Sequence, residues 1–500
     1  MQNDQFLDSS HLKKDLYKRS ARGGIATVGS QAFIILFDLG RGAVLARLLS
    51  PEDYGLQGML IGIISVALIF KDLGLGTATV RESKISQAQI SNLFWANSLI
   101  GLVSMLILMA CGPLLSWFFN EPRLPGMAFV VSIGYFFGGL SVQHHALLRR
   151  QMLFGRIAVV NISANVLSSL VGIGLGYLGF GYWALVWMLS SMNIFLAVGF
   201  AAATGWIPDH PSKQTSIRGL LKVGTDVAAL NIFATLAKHM DKILLGKFTS
   251  AYSLGIYNRA FTFLNQSSGN IRLPLFNVAL PAMSSLQSNP DQFRSYYLKF
   301  VSILAFLTMP FAAFCFCFSD EIVRIYLGPK WMESALFLKV LSAGAFITPV
   351  VTALDQIPLA LGHSAQYRNS GVFQNTFTVI SIFLGVSGFG AIGAATAISA
   401  SSYLCLPFFL PWTTHGSPVK PGMYLRTLLA PVAVSGIPVL ITEIYRYAFS
   451  GSYRADIGLA LFSVLFLFVF FITDYFSIGT NLRITHKAFG TIRMRFSRQN

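Results

Sequence analysis

Long apolar runs follow one another almost without interruption along these 500 residues. They lie near residues 23–47, 56–78, 92–119, 125–148, 157–177, 181–203, 222–247, 254–281, 297–319, 335–361, 368–387, 389–411, 425–446 and 456–477. Each approaches or exceeds the roughly 20 residues that a helix needs to cross the hydrocarbon of a bilayer. An unpaired backbone group costs several kcal/mol in lipid, so runs of this kind must close their hydrogen bonds internally as helices. Only 11% of residues are charged and 54% are hydrophobic, against about 25% charged in a soluble domain. The expected class is therefore an all-α polytopic membrane protein of about fourteen transmembrane helices.

The net charge is +17, but the basic residues form no single patch of the sort that nucleic acid selects. They crowd instead into the two tails and alternate loops, by about three to one over the other loops. That asymmetry puts both termini in the cytoplasm and suits anionic membrane lipids as partners. The first 22 residues are polar and basic, unlike a cleavable signal peptide. Cys111, Cys315, Cys317 and Cys405 fall in or beside apolar runs and read as small buried hydrophobes.

The chain repeats itself. LARLLSPEDYG (Leu45–Gly55) and LGKFTSAYSLG (Leu245–Gly255) share Leu45/Leu245, Ser50/Ser250 and Gly55/Gly255 at an offset of 200 residues. G-x-x-G-F-G recurs at Gly176–Gly181 and Gly385–Gly390. Each pair falls in matching loops of two six-span sets. The expected organisation is a cytoplasmic N-terminal segment (1–22), an N-lobe (23–203), a cytoplasmic linker (204–221), a C-lobe (222–411), two appended spans (412–477) and a basic cytoplasmic tail (478–500). Six is even, so the lobes form a parallel repeat about an axis along the membrane normal.

Ionisable residues within spans are expensive and mark functional positions. At the 200 offset Asp38 falls on Lys238, Arg41 on Asp241 and Asp72 on Arg272, each with reversed sign. Such pairs are expected to act as gates at the two mouths of a cleft, with Asp38, Asp72, Asp241 or Asp355 as carriers of a coupling ion. The eighth run is the most polar, above all from Gly255 to Phe276. Asn258, Asn265 and Arg272 recur every seven residues, with Arg259, Gln266 and Asn270 alongside. Guanidinium groups on that stripe match phosphate oxygens, and amides match sugar hydroxyls. His144, His145, Arg149 and Arg150 close the fourth run and read as interface residues, the two arginines as cytoplasmic anchors. Neither a phosphate-binding Gly-rich loop nor the common hydrolase and zinc motifs occur. No cofactor is expected, and the outside loops are too short for a catalytic domain.

Several segments resemble a known family: ARLLSPEDYGLQGM, DLGLGTATVRES with SNLFWANSLIG, ALLRRQMLFGRIA, GFGYWALV, DKILLGKFTSAYSLGIYNRA and PAMSSLQSNPDQFRSYYLK. In order and spacing they are similar to the lipopolysaccharide and exopolysaccharide flippases of the multidrug/oligosaccharidyl-lipid/polysaccharide exporter superfamily. The resemblance implies two lobes around a cavity and a polyprenyl-pyrophosphate-linked oligosaccharide as substrate. The load would turn from the inner to the outer leaflet of a bacterial inner membrane. By position Arg41, Lys242, Arg259 and Arg272 become candidates for the pyrophosphate, with Asn265, Gln266 and Asn270 for the glycan. Polysaccharide polymerase and export machinery become expected partners. Two alternatives stand beside this: a cation-coupled drug antiporter on the same fold, and a membrane glycan polymerase or ligase.

Overall fold

The computed structural model describes residues 16–70, 74–82, 85–211, 235–448 and 460–469. Among them every regular element is helical: α1 (Leu16–Leu48), α2 (Pro51–Phe70), α3 (Leu75–Arg81), α4 (Gln87–Phe119), α5 (Leu124–Arg150), α6 (Phe154–Tyr177), α7 (Tyr182–Thr204), α8 (235–248) and α9 (Ala251–Ser285) come first. There follow α10 (Pro290–Cys317), α11 (Ser319–Tyr326), a 3₁₀ turn at Pro329–Trp331, α12 (Ser334–Ala353), α13 (Gln356–Ala360), α14 (Ser364–Thr414), α15 (Pro421–Ala448) and α16 (Ala460–Val469). Nine helices among the described residues are long and apolar enough to cross a membrane. The chain is a multi-pass membrane protein.

The 200-residue echo has a local cause. Leu49 N–H donates to Leu45 O at 2.9 Å, and Thr249 N–H donates to Leu245 O at 2.9 Å, closing α1 and α8 alike. Ser50 then caps α2: its Oγ accepts from the Asp53 amide at 3.3 Å and donates to Asp53 Oδ2 at 2.7 Å. Ser250 caps α9 in the same way, accepting from the Ser253 amide at 3.2 Å. A serine at this position satisfies one of the amides that the first helical turn leaves unpaired. The two openings also touch. A Cβ on Gly55 would overlap the carbonyl of Ala251, and a Cβ on Gly255 would overlap the carbonyl of Pro51. Residues 51 and 55 thus meet residues 251 and 255 reciprocally, as a two-fold relation between the repeats requires.

The second echo is conformational. Gly181, before α7, has φ 55° and ψ −131°. Gly390, its counterpart, has φ 61° and ψ −143° and, with Phe389, interrupts α14, which is two helices end to end. Side chains other than glycine rarely tolerate that region. The repeat therefore preserves a bend as well as a sequence.

By internal contacts the chain divides into two units. The first holds Met1–Arg259, Arg324–Met332 and Val379–Ala394; the second holds Ala260–Val323, Glu333–Thr378 and Ala395–Asn500. In the first unit α4, α5, α6 and α7 pack as neighbours, over a core that includes Leu93, Phe94, Leu147 and Trp206. His144 is buried there, its Nδ1 2.8 Å from Thr204 Oγ1 and its ring edge-on to Phe94 and Trp206. Arg150 departs from the expected interface anchor. It is buried, and its Nη1 donates to the carbonyls of Thr79 and Glu82, so its charge ties α3 to the end of α5. Arg149 beside it is exposed.

In the second unit α10 packs on α12 and α15, around Tyr297, Phe300, Val350 and Tyr424. Tyr424 on α15 donates to Val350 O at 2.5 Å. Lys339 on α12 pairs with Glu443 on α15 at 3.2 Å; Arg446 pairs with the same carboxylate at 3.3 Å, reaches Glu321 at 3.8 Å and donates to Cys317 O. Glu443 and Glu321 neutralise two of the bases in this region. The thirteenth run is thus fastened to the body by charge as well as packing.

The glycine crossing predicts that Gly255→Ala costs about 1–3 kcal/mol or more, because two backbones must part. Thermal unfolding of the detergent-solubilised protein should show a clear fall in Tm. Gly174→Ala, at a helical site with open space around it, should leave Tm unchanged or raise it slightly. Equal Tm for the two variants would contradict the close crossing.

Candidate functional site

The first unit holds a cationic centre. On α1, Arg41 and Asp38 pair at 2.9 Å within one turn and are 21% and 16% exposed. From α6, Ser169 Oγ accepts from Arg41 at 3.1 Å, and Asn165 donates to Asp38 at 3.2 Å. Arg259 on α9 donates to Gly42 O at 2.9 Å. Its guanidinium lies over the Tyr54 ring, 4.4 Å from the centroid, and its Nε is buried without a hydrogen-bond partner. Gly42 leaves room for the Tyr326 hydroxyl, which a Cβ there would meet. Burial raises the Tyr326 phenol above its ordinary value, although Arg259 and Arg41 pull it down. Its hydroxyl therefore stays protonated.

Tyr326, the last residue of α11, belongs to a strap, Arg324–Met332, that runs from the end of α11 through the 3₁₀ turn. Arg47 Nη2 donates to Ile325 O at 3.0 Å, and Trp331 Nε1 donates to Ala46 O at 2.7 Å. The Trp331 ring stands edge-on to Tyr54 at 5.4 Å. The centre thus carries two guanidinium groups against one carboxylate. Such an arrangement attracts an oxyanion, and its desolvated fork geometry favours a phosphate.

Among the described residues, Asp38 does not pair with Lys238, nor Arg41 with Asp241. Arg41 is taken by Asp38, three residues away, rather than by Asp241, because an i,i+3 partner on one helix is always within reach. Asp241 is buried, accepts from Tyr257 at 2.8 Å through Oδ2, and has no partner for Oδ1. Lys238 is exposed. Lys242 Nζ lies 3.5 Å from His239 Nδ1. Asp355, just before α13, accepts from Ser370 at 3.3 Å. Asp72 lies outside the described residues.

The second unit contains a cavity of about 280 Å³. Arg272 and Asn265 reach it from α9, Thr348 and Thr352 from α12, and Gln374, Asn375, Ser399 and Ser402 from the two halves of α14. Arg272 Nη1 is 3.4 Å from Thr352 Oγ1. Thr348 and Ser402 hydroxyls meet at 2.8 Å. The polar stripe of α9 is thereby divided: Asn265 and Arg272 line the cavity, Arg259 stands in the cationic centre, and Gln266 and Asn270 line neither. The walls from α12 and α14 were not expected from the sequence. Their signal was QNTFT (374–378) and SASS (399–402), polar clusters inside apolar runs.

A sequence profile described as "Polysaccharide biosynthesis protein" matches residues 44–336. The teichuronic acid biosynthesis protein TuaB of Bacillus subtilis is 23% identical over 67% of this chain and 68% of its own length. The lipopolysaccharide biosynthesis protein WzxC of Escherichia coli is 21% identical over 72% of this chain and 74% of its own. Among solved structures, the lipid II flippase MurJ in an inward closed conformation aligns with a TM-score of 0.71 at 15% identity, covering 92% of this chain and all of that one. An inward-facing multidrug transporter of the MATE family aligns at 0.61 with 15% identity, covering 76% of this chain and 93% of that one. These structures share the fold. With more than half of its length matched by the profile, the chain belongs to the family of polysaccharide biosynthesis proteins.

Proposed function

We propose that this protein carries a polyprenyl-diphosphate-linked oligosaccharide from the cytoplasmic to the outer leaflet of a bacterial inner membrane. Its relatives bear the names of polysaccharide and lipopolysaccharide biosynthesis proteins, and one fold neighbour is titled a lipid II flippase. The observation that carries the reading is the paired guanidinium centre of Arg41 and Arg259, set among apolar helices with a single carboxylate, Asp38. A diphosphate with a string of hydroxyls cannot enter hydrocarbon unaided, since each unsatisfied polar group costs several kcal/mol. Fixed guanidinium groups replace the water that the diphosphate loses. The prenyl tail stays in lipid.

Transport is by alternating access of two lobes, residues 23–203 and 222–411, within a fourteen-span body whose termini are cytoplasmic. The protein is a transporter and not an enzyme. A membrane potential, negative inside, drives an anion outward by about 2.3 kcal/mol per charge per 100 mV. When the bases neutralise the load, the same potential returns the empty, positive site inward. Asp241, buried with one free carboxylate oxygen, is the foremost carrier for a coupling cation. A drug–cation antiporter would instead place uncompensated carboxylates at the centre.

Deletion in the host should strand lipid-linked oligosaccharide on the cytoplasmic leaflet; a build-up on the outer leaflet would mean a polymerase or ligase. In proteoliposomes, Arg259→Gln should slow flipping at least about tenfold, in line with loss of a charge-assisted bond of roughly 1.5–3 kcal/mol, with Arg259→Lys intermediate. A scaffold would tolerate both. Collapsing the potential should slow flipping by the wild type, and an unchanged rate would remove both electrical routes.

A further inference from the structure

We infer that the cavity of the second unit is a glycan subsite that takes one sugar residue bearing a carboxylate, such as a uronic acid. The inference rests on the transport reading, for which it names the class of cargo. The cavity wall carries one full charge, Arg272, and no carboxylate among its lining residues. Among the described residues no acid pairs with Arg272; its neighbours are neutral, Thr352 at a long 3.4 Å and the Phe276 ring at 5.9 Å from the centroid. Around it stand the amides of Asn265, Gln374 and Asn375, with the Phe261 ring as an apolar surface. All of this lies within helices that are otherwise apolar, where polar groups need a partner.

The chemistry selects among ligands. A diphosphate asks for clustered cations, as in the Arg41–Arg259 centre, and a lone guanidinium serves it poorly. A neutral sugar satisfies the amides but leaves the arginine's charge half-buried and unpaired, which is costly. An organic cation is repelled. A hydroxyl-rich monoanion satisfies every group at once. Its carboxylate lies in the guanidinium fork as a two-point bond, its hydroxyls reach the amides, and the apolar face of its ring meets Phe261. About 280 Å³ is the small end of ligand pockets, roughly 300 Å³ upward, so the site reads a single ring rather than an oligosaccharide.

The test uses the full chain in lipid nanodiscs and ligand-observed NMR titration with three probes: glucuronyl-β-1,4-glucose, its neutral analogue cellobiose, and inorganic pyrophosphate. The wild type should prefer the acidic disaccharide by about tenfold, the value of one charge-assisted contact. Arg272→Gln should abolish that preference while pyrophosphate binding persists. Asn375→Ala should weaken both disaccharides alike and keep the preference, which guards against a merely misfolded Arg272 variant. Equal binding of the two disaccharides by the wild type, or a preference that survives Arg272→Gln, would overturn the inference. So would loss of pyrophosphate binding in Arg272→Gln with the preference intact. The diphosphate reading fails separately: acidic-sugar preference without pyrophosphate binding by the wild type would sink that reading and leave this subsite standing.

Discussion

Two helix backbones come this close only where a side chain is missing, and Gly55 and Gly255 permit it at the openings of α2 and α9, each against a carbonyl of the other helix. Much of the first unit follows from it. Tyr54 is the neighbour of one glycine, and Arg259 is one turn beyond the other, on the same helical face. The crossing therefore delivers the guanidinium onto the Tyr54 ring. Gly42 then receives Arg259 on its carbonyl, and the 324–332 strap closes over the same corner through Trp331 and Tyr326. A cation is held in an apolar setting by an aromatic face and backbone oxygens, without a carboxylate to cancel it.

The charges within the apolar helices fall into two kinds. Lys339, Arg446, Glu443 and Glu321 satisfy one another and hold helices together. Arg259 and Arg272 are held by neutral partners and keep their charge available. Ion pairs in a low dielectric are stable when well matched, but they do not attract a ligand. The distinction separates charges matched by ions from charges held by neutral groups more sharply than position along the chain does.

Much of the architecture was legible in the residues. Hydropathy is a strong signal for membrane helices, because lipid offers no partner for the backbone. The repeat was legible because helix caps and bends demand particular residues, here Ser50 and Ser250, Gly181 and Gly390. The charge matches at the 200 offset were less direct. They mark equivalent positions, but Arg41 found Asp38 on its own helix. Glu443 was overlooked because it sits near the end of its run, where a carboxylate reads as interfacial. The cavity wall from α12 and α14 was hidden for another reason. Serine and threonine in membrane helices commonly bond back to their own helix, so Thr348 or Ser399 carries no distinctive pattern until three helices converge.

The cluster around Glu443 bears on what α15 does for the fold. A body ending after α14 would leave Lys339 and Glu321 in apolar surroundings without their opposite charges. Through four side chains, two of them its own, α15 is electrically integral to the second unit.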